Sequence, residues 1–281
     1  MRLHFIGIII ATLTLQACGT ETTTNNNNSS SANNTENSTT SSIADIPFTV
    51  RKIYPHDTSS YTQGLVYVDG KILEGTGRNG FSKLMYTSLQ DGKSTRSISL
   101  PYAYFGEGVA LLNGKIYQLT WQNNEVFVYD ANNLQKLQTF EWPYEGWGLT
   151  HDGKNLIIST GSSNLYFVEP SSFKILKTVG VTDNNGPVGN INELEYIHGH
   201  VYANQYGANI IYKIDPTSGR VVGKMDLTGI REKNSIPYNP NDEMMGNVLN
   251  GIAYDSATQR MYVTGKLWAA MFELENEKGF R

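Results

Sequence analysis

The sequence predicts an all-β fold, a five-bladed β-propeller, and three observations lead to this prediction. A strand–turn–strand unit recurs five times along the chain. The unit starts lie about 40 to 57 residues apart, which is close to the length of a four-stranded propeller blade. The fifth unit runs out of chain after its third strand, while a strand without a unit, residues 48–54, precedes the first one.

The repeated unit begins with an apolar strand that is followed by a tight turn and a second strand. The five units start at Gln63, Glu107, Trp147, Glu193 and Asn250. Turns such as Asn113-Gly114 and Asp152-Gly153 suit hairpins, because both residue types tolerate the positive φ angles of these turns. A third strand follows in every unit and a fourth in units one to four, so each unit has the content of one blade.

The strand at residues 48–54 is predicted to close the ring. An open array of blades would leave unpaired sheet edges, which folded proteins avoid. We therefore expect this N-terminal strand to complete the fifth blade from outside. A β-sandwich or an unclosed β array is the alternative at this point.

The first 45 residues predict a leader and a tether. Residues 5–15 form an apolar run too short to span a bilayer but typical of a secretory signal. We predict a signal peptide over residues 1–17, a lipidated Cys18 in a bacterial lipobox-like setting, and a flexible Thr/Asn/Ser-rich tether over residues 18–45. The propeller is then expected over residues 46–281. An ordinary secreted protein with an incidental cysteine is the alternative.

Composition excludes several classes of function. Cys18 is the only cysteine, so the predicted mature domain has no thiol for disulfides, catalysis or metal binding. The formal charge of −4 argues against a nucleic-acid partner.

We expect a monomer at the bacterial cell envelope, attached to a membrane through the lipid on Cys18. Among the histidines only His198 and His200 are close in sequence, and they lie in a predicted turn, so no metal site is predicted.

The candidate site lies where the inner strands of the blades begin, since these positions line the channel of a propeller. They differ from blade to blade: Gln63, Glu107, Trp147, Asn192 with Glu193 and Glu195, and Asn250. Glu107 lies between two glycines and follows several aromatic residues. Partial desolvation would raise the pKa of this carboxyl toward that of a working acid or base. A solvated loop glutamate is the alternative.

Six short strings in the right order resemble the glutamine cyclotransferase family. They are Tyr61-Thr62-Gln63-Gly64-Leu65, Phe105-Gly106-Glu107-Gly108, Gly146-Trp147-Gly148-Leu149-Thr150, Asn192-Glu193-Leu194-Glu195, Asn247-Val248-Leu249-Asn250-Gly251-Ile252-Ala253 and Thr264-Gly265-Lys266-Leu267-Trp268. The resemblance runs from about residue 49 to 274. It implies a five-bladed propeller that converts the N-terminal glutamine of a peptide or protein to pyroglutamate and releases ammonia, with no cofactor required.

The resemblance also implies roles for individual residues. Glu107 would be the acid and base, and Lys266 and Asn192 would be polar catalytic groups that stabilise the developing oxyanion. The expected substrate-binding residues are Gln63, Phe105, Trp121, Trp147, Tyr206 and Trp268. The chain departs from the family at Tyr206, where a tryptophan is usual, and at Ala269, where a proline is common.

Two other functions stay open from the residues alone. A non-catalytic envelope propeller could bind peptides or glycans, since a fold does not prove an activity. A metal-dependent, lactonase-like propeller could use Glu107, Asn192 and Asn250 around a divalent cation. Lys266 in the same pocket would compete with such a cation, although a structural divalent ion elsewhere in the channel stays possible.

Overall fold

The computed structural model describes residues 43–281, which form five blade-like antiparallel sheets. The predicted five-bladed propeller is confirmed. The expectations for residues 1–42, which include the signal peptide, the lipidation of Cys18 and most of the tether, lie outside the described residues. None of the described helices is long and apolar enough to cross a membrane.

The strands follow the order that the repeat predicts. Two strands precede the first blade: β1 (Ala44–Asp45) and β2 (Thr49–Pro55). Blade one contains β3 (Thr62–Val68), β4 (Lys71–Thr76), β5 (Lys83–Ser88) and β6 (Ser94–Ser99). Blade two contains β7 (Gly106–Leu112), β8 (Lys115–Thr120), β9 (Glu125–Asp130) and β10 (Lys136–Glu141). Blade three contains β11 (Leu149–His151), β12 (Leu156–Ser159), β13 (Asn164–Val168) and β14 (Ile175–Gly180).

The second half of the ring has longer connections. A small hairpin, β15 (Thr182–Asp183) and β16 (Gly186–Pro187), follows blade three. Blade four contains β17 (Ile191–Ile197), β18 (His200–Gln205), β19 (Ile210–Ile214) and β20 (Val221–Asp226). After the short helix α1 (Ile230–Lys233), blade five contains β21 (Leu249–Asp255), β22 (Arg260–Gly265) and β23 (Ala270–Glu275).

The N-terminal strand closes the ring as predicted. β2 pairs antiparallel with β23, from Thr49 opposite Glu275 to Pro55 opposite Ala270. The next residue, His56, is buried and joins blades five and one. Its Nε2 lies 3.1 Å from Oε1 of Glu74 in blade one, and its Nδ1 lies 2.8 Å from the carbonyl oxygen of Trp268 in blade five.

Residues 44 and 45, which precede the predicted boundary at residue 46, pair with the propeller. β1 pairs in parallel with β20, the outer strand of blade four, with Ala44 opposite Gly223 and Asp45 opposite Lys224. The isoleucines that flank β1 also pack against the core: Ile43 against the cluster between blades three and four, and Ile46 against the cluster that contains Met225 and Phe272. The segment therefore joins the fold through backbone pairing and through apolar contacts.

The glycines that recur at the blade starts are required by crowding around the channel. A Cβ atom on Gly148 would lie 2.0 Å from the carbonyl oxygen of Asn192 in the next blade. A Cβ atom on Gly64 would lie 2.4 Å from the backbone nitrogen of Val109. The inner strands thus approach each other closely enough to exclude side chains, and this holds the neighbouring polar residues in a narrow space.

Candidate active site

A cavity of about 310 Å³ opens at the end of the channel where the inner strands begin. It is lined by Tyr61, Gln63, Phe105, Glu107, Trp121, Trp147, Asn192, Tyr206 and Lys266. All of the expected catalytic and substrate-binding residues except Trp268 lie here, although they come from blades far apart in the sequence. The other channel positions, Glu193, Glu195 and Asn250, do not line the cavity. Tyr61 also lines the cavity and was not among the expected site residues; its only sequence signal was its place two residues before Gln63.

Glu107 is held in a defined orientation at the cavity. Its side chain is buried, and its Oε1 accepts a hydrogen bond of 3.0 Å from Nε2 of Gln63. Gln63 is itself oriented, because Nδ2 of Asn250 donates to Oε1 of Gln63 at 3.3 Å and to the carbonyl oxygen of Thr62 at 3.0 Å. Asn250, buried behind the cavity wall, therefore directs the Gln63 amide toward the carboxyl.

Burial raises the pKa of Glu107 well above its usual value. The positive charge of Lys266 opposes this shift, and the negative charge of Glu145 adds to it. A carboxyl with a raised pKa exchanges its proton more readily near neutral pH, which is the property that a general acid and base needs.

Lys266 enters the cavity between two tyrosine rings. It follows β22, and its backbone N–H donates to the carbonyl oxygen of Val248. Its Nζ lies 4.7 Å from the ring centroid of Tyr61 and 4.9 Å from that of Tyr206, so both rings face the cation. Burial lowers the pKa of Lys266 to about 8, against the opposing effect of the Glu107 charge.

The two tryptophan walls share one carboxylate that sequence analysis missed. Oε2 of Glu145 accepts hydrogen bonds from Nε1 of Trp121 at 2.9 Å and from Nε1 of Trp147 at 3.0 Å. Its Oε1 accepts a hydrogen bond of 2.8 Å from Nε2 of Gln122. Partial burial raises the pKa of Glu145, but these hydrogen bonds outweigh that effect and leave it below its usual value. The only signal in the sequence was its position two residues before Trp147.

The remaining walls are aromatic and interlocked. Tyr61 packs edge-on against Phe105 with 6.1 Å between ring centroids, and Trp147 packs edge-on against Tyr206 at 5.7 Å. The hydroxyl group of Tyr61 donates to the carbonyl oxygen of Gly246, in the connection between blades four and five. The cavity is thus lined mainly by aromatic rings that pack against one another and hold one another in position.

Asn192 brings unused hydrogen-bonding capacity to the cavity. Its side chain is buried, and its Oδ1 has no hydrogen-bond partner among residues 43–281. The adjacent Glu193 does not face the cavity. Instead its carboxyl group accepts hydrogen bonds from the backbone N–H groups of Leu65 and Ile252, which links blade four to blades one and five. Asn192 therefore contributes its side chain to the cavity wall, whereas Glu193 links the blades.

Trp268 lies outside the cavity. Its ring covers Gly265, where a Cβ atom would lie only 2.2 Å from the indole, and the Arg231 guanidinium lies 4.3 Å from the ring centroid on the other side. Its Nε1 donates to the carbonyl oxygen of Asn247 at 3.0 Å. Trp268 thus belongs to the buried core beside α1, and it supports the loop that carries Lys266 without lining the cavity.

The cavity does not have the ligand set of a metal centre. Within the described residues, no group of three or more histidine, cysteine, aspartate or glutamate side chains could hold a metal ion. Glu107 and Asn192 line the cavity, whereas Asn250 lies behind Gln63. The positive charge of Lys266 lies in the same space. The arrangement therefore suits proton transfer and binding of an uncharged polar group better than binding of a cation.

Fold and cavity together define a five-bladed propeller with a small cavity, lined by a carboxyl group, a lysine and aromatic rings, at one end of its channel. The chain belongs to the glutamine cyclotransferase family, whose model matches residues 20–276. It is 38% identical over 224 residues to the glutaminyl-peptide cyclotransferase of Arabidopsis thaliana, covering 79% of this chain and 69% of that relative. It also resembles the crystal structure of Myxococcus xanthus glutaminyl cyclase, with a TM-score of 0.74 and 34% identity, covering 81% of this chain and 95% of that one.

Proposed function

We propose that the protein is a glutaminyl-peptide cyclotransferase that converts an N-terminal glutamine to pyroglutamate and releases ammonia without a catalytic metal. The observation that carries this proposal is a single buried carboxyl group, that of Glu107, beside Lys266 in an aromatic cavity. The names of the relatives support the same reaction. The cavity has room for one glutaminyl side chain together with its α-amine.

The reaction requires one proton to move from the attacking nitrogen to the leaving nitrogen. The uncharged α-amine attacks the side-chain amide carbon, a C–N bond forms, and the carbonyl electron pair moves to the oxygen. Glu107 accepts the proton that the amine loses and donates it to the amide nitrogen. The original C–N bond then breaks, the carbonyl re-forms, and ammonia leaves. One carboxyl group with a raised pKa performs both transfers.

Lys266 and Asn192 are proposed to stabilise the negative charge that develops on the amide oxygen. Both line the same cavity as Glu107, and both are buried. A preorganised donor in a site of this kind is worth about 3 kcal/mol of transition-state stabilisation. The tyrosine rings beside Nζ of Lys266 hold the ammonium group in place without neutralising it by an anionic partner.

The aromatic walls contribute by position and by exclusion of water. Ring closure needs the amine and the amide carbon of the same residue to approach each other, which requires a folded side chain. Rings at Phe105, Trp121 and Trp147 would hold the methylene groups of the substrate in this conformation. They would also limit the entry of water, which otherwise competes with the amine for the amide carbon.

We also propose that the protein works as a monomer at the bacterial cell envelope, with a lipid on Cys18 as its membrane anchor. The lipobox-like setting of Cys18 and the polar segment after it support this placement. Mass spectrometry of the protein purified from membranes tests it. A diacylglycerol adduct on Cys18 is expected, and a Cys18→Ser variant should be released from the membrane fraction.

The experiment that tests the activity is incubation of the purified protein with a Gln-initiated dipeptide, with and without EDTA. Ammonia and a pyroglutamyl product are expected in both samples. An N-acetylated form of the same peptide serves as the control, because it has no free amine and should not react. Loss of activity in EDTA would contradict the proposal of a metal-independent reaction. Failure to convert any Gln-initiated peptide would contradict the proposed function itself.

A further inference from the structure

Exposed apolar side chains concentrate around the mouth of the cavity. Ten large apolar side chains are exposed in the described part of the chain, and seven of them lie in loops at the end of the propeller where the inner strands begin. These seven are Phe81, Tyr102, Trp121, Tyr144, Tyr238, Met244 and Met245. The other three, Leu137, Leu176 and Val222, are on outer strands. An apolar group of this kind on one face indicates a binding surface.

Four of the seven form what we call the aromatic rim: Phe81, Tyr102, Trp121 and Tyr144. They lie in consecutive loops of blades one to three. Tyr102 is 79% exposed and Phe81 is 71% exposed. Exposed aromatic side chains supply much of the energy of peptide and protein recognition, since each offers a large and rigid apolar area.

The rim is preformed, because asparagine side chains tie its loops together. Nδ2 of Asn79 and Nδ2 of Asn123 each donate to the carbonyl oxygen of Ala103 at 3.2 Å. Nδ2 of Asn124 donates to the carbonyl oxygen of Tyr144 at 3.3 Å. These hydrogen bonds join the loops of blades one, two and three in series. A ligand that binds to the rim therefore does not have to order it first.

The rim is continuous with the cavity and is mainly apolar. Trp121 belongs to both, as it lines the cavity and is partly exposed beside it. Arg78 and Glu145 are the charged residues of the four rim loops, and both are engaged. The Arg78 guanidinium lies 5.2 Å from the ring centroid of Tyr61, and the Glu145 carboxylate accepts the indole hydrogen bonds of the tryptophan walls. The surface thus suits an uncharged, apolar chain that leaves the cavity.

We propose that the aromatic rim binds the residues that follow the N-terminal glutamine of the substrate, and that the preferred substrates are peptides with apolar side chains at positions two to four. This inference rests on the proposed function, since it places the glutamine in the cavity. An extended chain advances about 3.3 Å per residue, so three residues cover roughly 10 Å of the surface outside the mouth. Free glutamine makes none of these contacts and is the poorer substrate.

The test compares two tetrapeptides, Gln-Leu-Phe-Leu amide and Gln-Gly-Gly-Gly amide. The unaltered protein should show a kcat/KM about tenfold higher for the apolar peptide, mainly through KM, since burial of one or two side chains is worth that factor. In a Phe81→Ser, Tyr102→Ser double variant this preference should fall to near unity, with turnover of the glycine peptide unchanged. The single variant Tyr102→Ser should lose part of this preference. Because Tyr102 has little burial, its replacement changes little of the folded structure.

The matched control is a Met244→Ser, Met245→Ser double variant. These methionines are also exposed, but they lie in the connection between blades four and five and not in the loops that carry the rim. Their replacement should leave the tenfold preference intact. A preference unchanged in the rim variant, lost in the methionine variant, or missing in the unaltered protein would overturn the inference. If the unaltered protein failed to convert even the glycine peptide, the proposed function would be wrong, so the two failures are distinguishable.

Discussion

Nε2 of Gln63 donates a hydrogen bond to Oε1 of Glu107, and 3.0 Å separates the two atoms. Because Asn250 holds the other end of the Gln63 amide, the hydrogen bond cannot reverse its direction without loss of the Asn250 contact. Gln63 therefore occupies one carboxyl oxygen as a fixed donor. The second oxygen, Oε2, is left to exchange a proton with the substrate, and this asymmetry is the basis of the catalytic proposal for Glu107.

Replacement of Glu107 by glutamine should lower kcat by about a thousandfold with little change in the melting temperature. The amide keeps the size of the side chain but cannot accept and return a proton. Steady-state kinetics with a Gln-initiated peptide and a thermal melt provide the two measurements. Glu141→Gln, an exposed position on β10, is the control and should behave like the unaltered protein. Activity within tenfold of normal in Glu107→Gln would remove this residue from the proposed mechanism.

The value of kcat/KM, corrected at each pH for the fraction of substrate with an uncharged α-amine, should have two limbs that depend on two different groups of the protein. Ionisation of Glu107 sets the acid limb above the usual range of a carboxyl, and loss of the proton from Lys266 sets a basic limb at about pH 8. Since the charge of Lys266 lowers the pKa of Glu107, Lys266→Met should move the acid limb to higher pH and abolish the Lys266 contribution to the basic limb.

Glu145→Gln should move the acid limb in the opposite direction. The negative charge of Glu145 raises the pKa of Glu107, so its removal lowers that pKa and extends activity to lower pH. The replacement glutamine keeps an oxygen that can accept the indole hydrogen bonds. The variant therefore removes the charge of Glu145 and retains the geometry of the tryptophan walls. Complete pH profiles of both variants test the scheme. Acid limbs that do not move in either variant would show that Glu107 is not the group that titrates.

Stability should fall as the pH rises because of His56. Burial lowers the pKa of His56, but the Glu74 carboxylate outweighs this effect and raises it above 6.5. The stabilising effect of the charged pair is therefore complete below about pH 6.5 and is lost as the pH rises through the higher pKa of the folded state. Thermal melts of the unaltered protein between pH 6 and 9 should show this decline.

His56→Gln should both destabilise the protein and flatten that decline. Removal of one partner from a buried ion pair costs about 3 kcal/mol of the unfolding free energy. His198→Gln is the matched control, because His198 is exposed and bonds only the Tyr254 hydroxyl group. Its melting temperature should stay close to that of the unaltered protein at each pH. An unchanged pH slope in His56→Gln would mean that other groups cause the decline.

Gly148→Ala should destabilise the centre of the ring by about 3 kcal/mol. The added Cβ atom would lie 2.0 Å from the Asn192 carbonyl oxygen, so one inner strand must shift and Asn192 with it. A loss of activity larger than the loss of folded protein is therefore expected. Gly189→Ala is the control, since no heavy atom lies within 4 Å of the Cβ built there. Equal stability of the two variants in urea denaturation would contradict the crowding argument.

Much of the fold was predictable because a blade is a local unit. Its strands and turns are adjacent in sequence, so the apolar runs and the Asn-Gly and Asp-Gly turns give its content directly. Closure by the strand at residues 49–55 was also predictable, from the missing outer strand of blade five. The pairing of Ala44 and Asp45 with β20 was not predictable, since it depends on the outer edge of blade four and on core contacts of Ile43 and Ile46 that lie far from them in the sequence.

Most members of the site were predictable, but their arrangement was not. The family resemblance implied a substrate-binding role for both Trp268 and Trp147, yet Trp268 packs against Arg231 in the core and Trp147 lines the cavity. The role of Glu145 was also not predictable. Its Oε2 accepts hydrogen bonds from two indoles that lie in different loops, and a local sequence pattern does not show that these loops meet.

The sequence by itself determined the number of blades and the closing strand, and the family resemblance indicated most of the polar and aromatic residues that line the cavity. The blade count and the closing strand follow from local strand patterns and from the repeat. Only the tertiary structure decided that Lys266 lies between the rings of Tyr61 and Tyr206, and that Gln63 directs its amide at Glu107. Ring closure brings together blades that are far apart in the chain, and burial there shifts the pKa values of Glu107 and Lys266 toward each other.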